Sequence, residues 1–141
     1  MNSFLNKIPI EDIKIGMTAS YSQTITQANI KAFVEVSGDK NPIHLDEVYA
    51  KNSRYKKIIA HGFMTASYFS ALFGTKIPGE GCVYVSQSLN FKRAVYIGDT
   101  VTATVEVTNI DLLKRRVFFN TICKVKNKIV TDGEAELYVP R

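Results

Sequence analysis

Residues 62–75 read Gly-Phe-Met-Thr-Ala-Ser-Tyr-Phe-Ser-Ala-Leu-Phe-Gly-Thr, and none of the fourteen carries a charge. At helical spacing the apolar side chains fall on every side of the wheel. A helix without a charged face is a buried one. Fourteen residues are too few to cross a bilayer, and the Ser and Thr content is too polar for that setting. The segment therefore predicts a central helix wrapped by the rest of the chain.

The second half of the sequence alternates and can do the wrapping. Val83, Val85, Leu89 and Phe91 share one face of an expected strand. Val101, Ala103, Val105 and Val107 do the same against Thr102, Thr104, Glu106 and Thr108. Strands over 117–125 and 129–139 follow, joined through Lys126-Asn127-Lys128 as a hairpin turn. Gly133, inside the last strand, marks a bulge or a close approach. In the first half a strand is expected over 17–25. Thr26 then offers an N-cap for a helix through Val36, with Ile30, Phe33 and Val34 at helical spacing and Gly38 placed to end it. Residues 39–46 read as loop, because Pro42 disfavours helix at Asn41, and a short helix is expected over 47–52. Helices followed by runs of strands give an α+β class with a mostly antiparallel sheet. Long antiparallel strands around one buried helix are the hot-dog fold.

At 141 residues the chain is expected to form a single domain over 1–141. Two Cys, at 82 and 123, and two His, at 44 and 61, argue against a disulfide framework and a Cys-rich zinc site. Reduced thiols in a cytoplasmic protein are the simple reading. Residues 1–7 contain no long apolar stretch, and no membrane segment is expected. Eighteen Lys and Arg against thirteen Asp and Glu give a net charge of +5. That suits nucleic acid, an acidic carrier protein or a phosphate-bearing small molecule. Nucleic acid ranks last, since no aromatic–basic interleaving or groove-reading motif is present. Gly79-Glu80-Gly81 lacks the Lys and the helix of a phosphate loop. Lys114-Arg115-Arg116 reads as a solvated turn, with a phosphate contact as its alternative.

Asp39 and His44 lie five residues apart on the loop after the first helix. A carboxylate and an imidazole on one short loop can reach a single water, one taking its proton and the other returning a proton to substrate. The plain alternative is that Asp39 caps a turn and His44 is a surface residue. His61-Gly62 opens the uncharged helix. A free N–H there can hold an anionic oxygen, aided by the helix dipole; the alternative is a tight helix entry, with His61 structural. Ser67 and Ser70 lie within the helix. They either bond back to the preceding turn or, for Ser70, face a substrate cavity. No base adjoins either in sequence, so a nucleophilic Ser is not supported. No metal ligand set is visible in the spacing of His and Cys.

These residues resemble a family. Ser37-Gly38-Asp39-Lys40-Asn41-Pro42-Ile43-His44-Leu45-Asp46 is similar to the hydratase signature of MaoC-like (R)-specific enoyl-CoA hydratases. Ile59-Ala60-His61-Gly62-Phe63-Met64 resembles that family's second motif. Leu89-Asn90-Phe91 followed by Gly98-Asp99-Thr100 resembles its third, with Ala94 where the family often has Pro. The resemblance covers roughly residues 12–139. It implies reversible addition of water to trans-2-enoyl-CoA, giving (R)-3-hydroxyacyl-CoA. It implies Asp39 and His44 as the acid–base pair, Asn41 as a supporting group, the Gly62 N–H as oxyanion donor and Ser70 as a polar residue near the site. It further implies a homodimer with sites near the subunit interface, an acyl-CoA thioester substrate, and no metal or cofactor beyond the coenzyme A of the substrate. The alternatives are a 3-hydroxyacyl-[acyl-carrier-protein] dehydratase and a non-catalytic acyl-CoA-binding hot-dog module. A hot-dog thioesterase fits less well, because residues 62–75 contain no acid.

Overall fold

The computed structural model describes residues 5–141. A strand β1 (Thr18–Thr24) leads into helix α1 (Gln27–Ser37). The sequence sets both ends of α1. The Thr26 hydroxyl accepts the Asn29 N–H and the Asn29 side chain accepts the Thr26 N–H, each at 3.1 Å, so two otherwise free donors are satisfied. Gly38 closes the helix in the left-handed region at φ 76°. After the loop comes the short α2 (Glu47–Lys51), then α3 (Gly62–Thr75). The remaining strands are β2 (Val83–Gln87), β3 (Asn90–Phe91), β4 (Thr100–Asp111), β5 (Arg116–Val125) and β6 (Lys128–Tyr138).

All the named strand pairs are antiparallel, in the order β1-β4-β5-β6-β2, with β3 also pairing β6. The sheet lies against α3 in the hot-dog arrangement. The alternation read from the sequence fixes which face does this: Val101, Ala103, Val105 and Val107 of β4 are buried, while Thr104 and Thr102 lie on the other face and pair their hydroxyls with Ser20 (2.9 Å) and Ser22 (2.8 Å) of β1. A one-residue slip would exchange the two faces, so the pattern also fixes the register. From the helix, Phe69, Leu72 and Phe73 enter the core, and the Phe73 ring meets Phe119 of β5 at 4.6 Å. Each such side chain stabilises by roughly 1.5–3 kcal/mol on burial. Phe69→Ala alone would cost about 3–5 kcal/mol. Lys126 and Asn127 both take positive φ, as a two-residue hairpin between twisted strands requires.

Two expectations are corrected. The helix α3 is not buried all round: Phe63, Ser67, Ser70, Ala71 and Gly74 form an exposed stripe, because the sheet of one chain covers only one side. The expected strand carrying Val83 through Phe91 is broken in two, and Val83 and Val85 are exposed at 52% and 44%. A register shift between Tyr84 and Ser86 interrupts the alternation. Between the two pieces the Ser88 carbonyl presses on Gly133, where an added Cβ would stand 1.8 Å from that oxygen. Gly133 therefore marks a close approach, one of its two sequence readings. Arg115 and Arg116 are held by the protein itself: Arg115 Nε donates to the Val139 carbonyl at 2.7 Å, and Arg116 pairs with Glu136. Among the described residues no helix is long and apolar enough to cross a membrane.

Candidate active site

The loop between α1 and α2 is shaped residue by residue. Ser37 Oγ donates to the Phe33 carbonyl at 2.7 Å and accepts the Asp39 N–H at 3.1 Å. Asp39 Oδ1 accepts the Asn41 N–H at 3.1 Å, and Asn41 Oδ1 accepts the Ile43 N–H at 3.3 Å. Asp46 caps α2 through the N–H groups of Val48 and Tyr49. These short polar side chains stand in for backbone partners in successive turns. Asp39 thus does cap a turn. Its carboxylate is nevertheless exposed, so capping and chemistry are compatible.

His44 ends a single 3-10 turn over Pro42–His44 and is half-buried. Its Nδ1 lies 2.7 Å from the Ile59 carbonyl oxygen. A carbonyl can only accept, so Nδ1 carries the hydrogen and Nε2 of the neutral ring keeps its lone pair. Burial pushes the His44 pKa below the ordinary imidazole value. The Ile59 bond opposes that shift, neighbouring His61 adds to it, and the Asp39 carboxylate pulls weakly back. The net result is an imidazole favoured in its neutral, proton-accepting form.

His61 joins this pair, which the sequence spacing did not reveal. Its ring stacks on His44 and is 2% exposed. Its Nε2 donates to the Asp39 carbonyl at 3.1 Å, while Nδ1 is buried with no partner among the described residues. A ring nitrogen of each histidine and a carboxylate oxygen of Asp39 all lie within 4.8 Å of one another. Three such groups raise the question of a metal ion. Two rings stacked 3.7 Å apart and 25° from parallel cannot both aim in-plane lone pairs at one ion. The arrangement suits proton transfer. The available signal was the position of His61 one residue before the helix, next to the extended segment that holds His44.

Gly62 begins α3. Its N–H is one of the first-turn donors that a helix leaves without an internal partner. The Phe91 ring lies against its α-carbon, so an added Cβ would meet ring carbons at 2.5 Å. His44, His61, Gly62, Phe63 and Phe91 line one cavity of about 330 Å³. Ser67 bonds back to the Met64 carbonyl, as its plain reading has it. Ser70 is exposed on the open stripe of α3 and does not line this cavity within one chain. Both cysteines are free, and burial pushes the Cys123 thiol up to about 12.

With the loop pair and the helix entry placed, comparison with known proteins is informative. Residues 11–134 match the family described as MaoC like domain. The chain belongs to the MaoC-like family. This MaoC-like chain is 49% identical to the (R)-specific enoyl-CoA hydratase of Rhodospirillum rubrum, over 92% of its own length and 90% of the relative's. It is 41% identical to the 3-hydroxybutyryl-CoA dehydratase of Methylorubrum extorquens, over 97% and 87%. An R-hydratase from Pseudomonas aeruginosa, solved in its unliganded form, matches with a TM-score of 0.91 and 37% identity, covering 97% of this chain and 88% of that one.

Proposed function

We infer that this chain is an (R)-specific enoyl-CoA hydratase that adds water reversibly to trans-2-enoyl-CoA, working as one hot-dog domain. The observation that carries the reading is the Asp39 carboxylate beside a neutral His44, within 4.8 Å, next to the free N–H at the start of α3. Two hydrogen bonds of about 2.8 Å bridge such a gap through one water. His44 Nε2 takes a proton from that water as its oxygen bonds to C3. Asp39 orients the water's other hydrogen and steadies the imidazolium. The electron pair of the double bond moves to the thioester oxygen, where the Gly62 N–H and the positive end of α3 meet the charge. The enolate then collapses, C2 takes the proton from His44, and the neutral ring is restored. Water is the sole co-reactant, so the chemistry asks for no cofactor beyond the coenzyme A that the substrate carries. Acid–base groups contribute about 10²–10⁴-fold and one oxyanion donor about 10²–10³-fold.

Asn41 supports this site by holding the turn. We assign Ser70 a polar contact to substrate where a second copy of the chain closes the open stripe of α3. The edge strand β2 and exposed Phe63, at 66%, give that copy a surface to cover. Free Cys82 and Cys123 favour a reducing compartment such as the cytoplasm. A second reading, dehydration of a 3-hydroxyacyl group on acyl carrier protein, uses the same residues and is favoured by the net charge of +5. The deciding experiment follows loss of enoyl-thioester absorbance with crotonyl-CoA, with chiral analysis of the product. Formation of the (R)-alcohol supports the hydratase. Turnover on the matched carrier ester alone favours the second reading. Binding without turnover on either leaves a non-catalytic module.

A further inference from the structure

Beside the reaction cavity lies a second one, of about 600 Å³, lined by Lys51, Lys56, Lys57, Tyr96 and Asp99 among others. The two share a framework. The Ala60 N–H donates to the Val95 carbonyl at 2.7 Å, and Ile59 bridges Tyr96 in antiparallel sense. One end of this paired segment, residues 56–58 with Tyr96 and Ile97, walls the second cavity. The other end, residues 59–62 with Val95, walls the first. Arg54 and Arg93 stand on the wall of the first cavity, so cations line both cavities.

These cations lack counter-ions. Residues 51–57 hold four positive charges and no acid. Among the described residues, Lys51, Arg54, Lys56, Lys57 and Arg93 make no ion pair, whereas Lys92 pairs with Asp132 at 3.6 Å. The Asp99 carboxylate is engaged by the Tyr96 N–H at 2.9 Å, which leaves Glu47 as the other acid on this wall. Lys56 also sits at φ 68°, in the left-handed region that disfavours a side chain. Like charges gathered on a strained turn oppose folding locally, and such strain concentrates where a ligand is bound.

We propose that this second cavity seats the phosphates of the substrate's nucleotide, with Lys51, Lys56 and Lys57 as their partners and Arg54 and Arg93 along the approach. The proposal rests on the hydratase reading, which supplies a ligand whose thioester and phosphates are joined by a long flexible pantetheine arm. Lys57 stands four positions before His61, so their α-carbons are at most about 14 Å apart, a span that arm covers. Lysine ammonium groups meet phosphate oxygens as point charges, which tolerates the spread of groups along a wall.

The test compares wild type with a Lys56→Ala/Lys57→Ala double variant. Adenosine 3′,5′-bisphosphate, the nucleotide without its arm, is titrated by calorimetry; crotonyl-CoA and crotonyl-pantetheine are assayed for hydration. The expected result is bisphosphate binding to wild type that weakens about tenfold in the double variant, with the same fall in its preference for the CoA ester over the pantetheine ester. A Lys14→Ala/Lys114→Ala control, with the same charge loss far from both cavities, keeps wild-type behaviour. Unchanged bisphosphate affinity and unchanged ester preference in the double variant overturn the proposal. If wild type hydrates neither ester while the bisphosphate still binds through these lysines, the catalytic reading fails and the phosphate site stands.

Discussion

The imidazole rings of His44 and His61 stack with centroids 3.7 Å apart and planes 25° from parallel. His61 also holds the Asp39 carbonyl through Nε2, so one buried ring touches both members of the loop pair. Its nearness lowers the His44 pKa. His61→Phe keeps a stacking ring but loses that hydrogen bond and that influence on His44. The acid limb of kcat/KM should move to higher pH, and kcat should fall about tenfold from loosening of the loop. A pH profile unchanged from wild type would show the stack to be packing alone.

Asp39→Asn and His44→Ala remove the groups that orient and deprotonate water. Each should lower hydration of crotonyl-CoA by about 10²–10⁴-fold. Asp39 is exposed and His44 only half-buried, so circular dichroism should keep the wild-type fold, with a modest loss of thermal midpoint for His44→Ala, which leaves the Ile59 carbonyl without its partner. Near-normal turnover in either variant contradicts the mechanism.

The pH dependence has a definite sign. Burial depresses the folded-state pKa of His44 below the unfolded value of about 6.5. The stability tied to its neutral form is therefore present above about pH 6.5 and lost as pH falls through the lower folded value. Activity follows the same group: kcat/KM should hold down to below pH 6.5 before falling. A limb centred above 6.5 in wild type would place another group in control.

Gly133→Ala should destabilise the protein by about 1–3 kcal/mol or more, because the new methyl group meets a backbone carbonyl that cannot rotate away. The urea midpoint of the variant should fall below that of wild type.

The exposed edge of β2 predicts a two-chain mass in light scattering at micromolar concentration. Val85→Lys, which places a charge on that edge, should yield the single-chain mass. A wild-type monomer would leave Ser70 without the contact assigned to it.

Much of the fold was legible because it depends on local periodicity. The alternation of Val101 to Val107 and the caps at Thr26 and Gly38 act over a few residues, and the structure follows them closely. The break at Ser88 was not legible, since it arises from a contact with Gly133, forty-five positions away. The open stripe on α3 escaped for a related reason: composition says that a face is apolar, not how many neighbours there are to cover it. At the site, Asp39 and His44 were legible as a loop pair. The third group, His61, joins them only once the extended segment at Ile59 folds against that loop.

The anchor of His44 is the Ile59 main-chain carbonyl, and that of His61 is the main-chain carbonyl of Asp39. A peptide oxygen is present whatever side chain the residue bears. Ile59, meanwhile, is among the residues that line the reaction cavity. Position 59 is thus free to drift, reshaping the space offered to an acyl group while the proton-transfer geometry stays in place. Selectivity and chemistry can be altered separately at this residue, which makes it a natural first position to randomise when a different chain length is wanted.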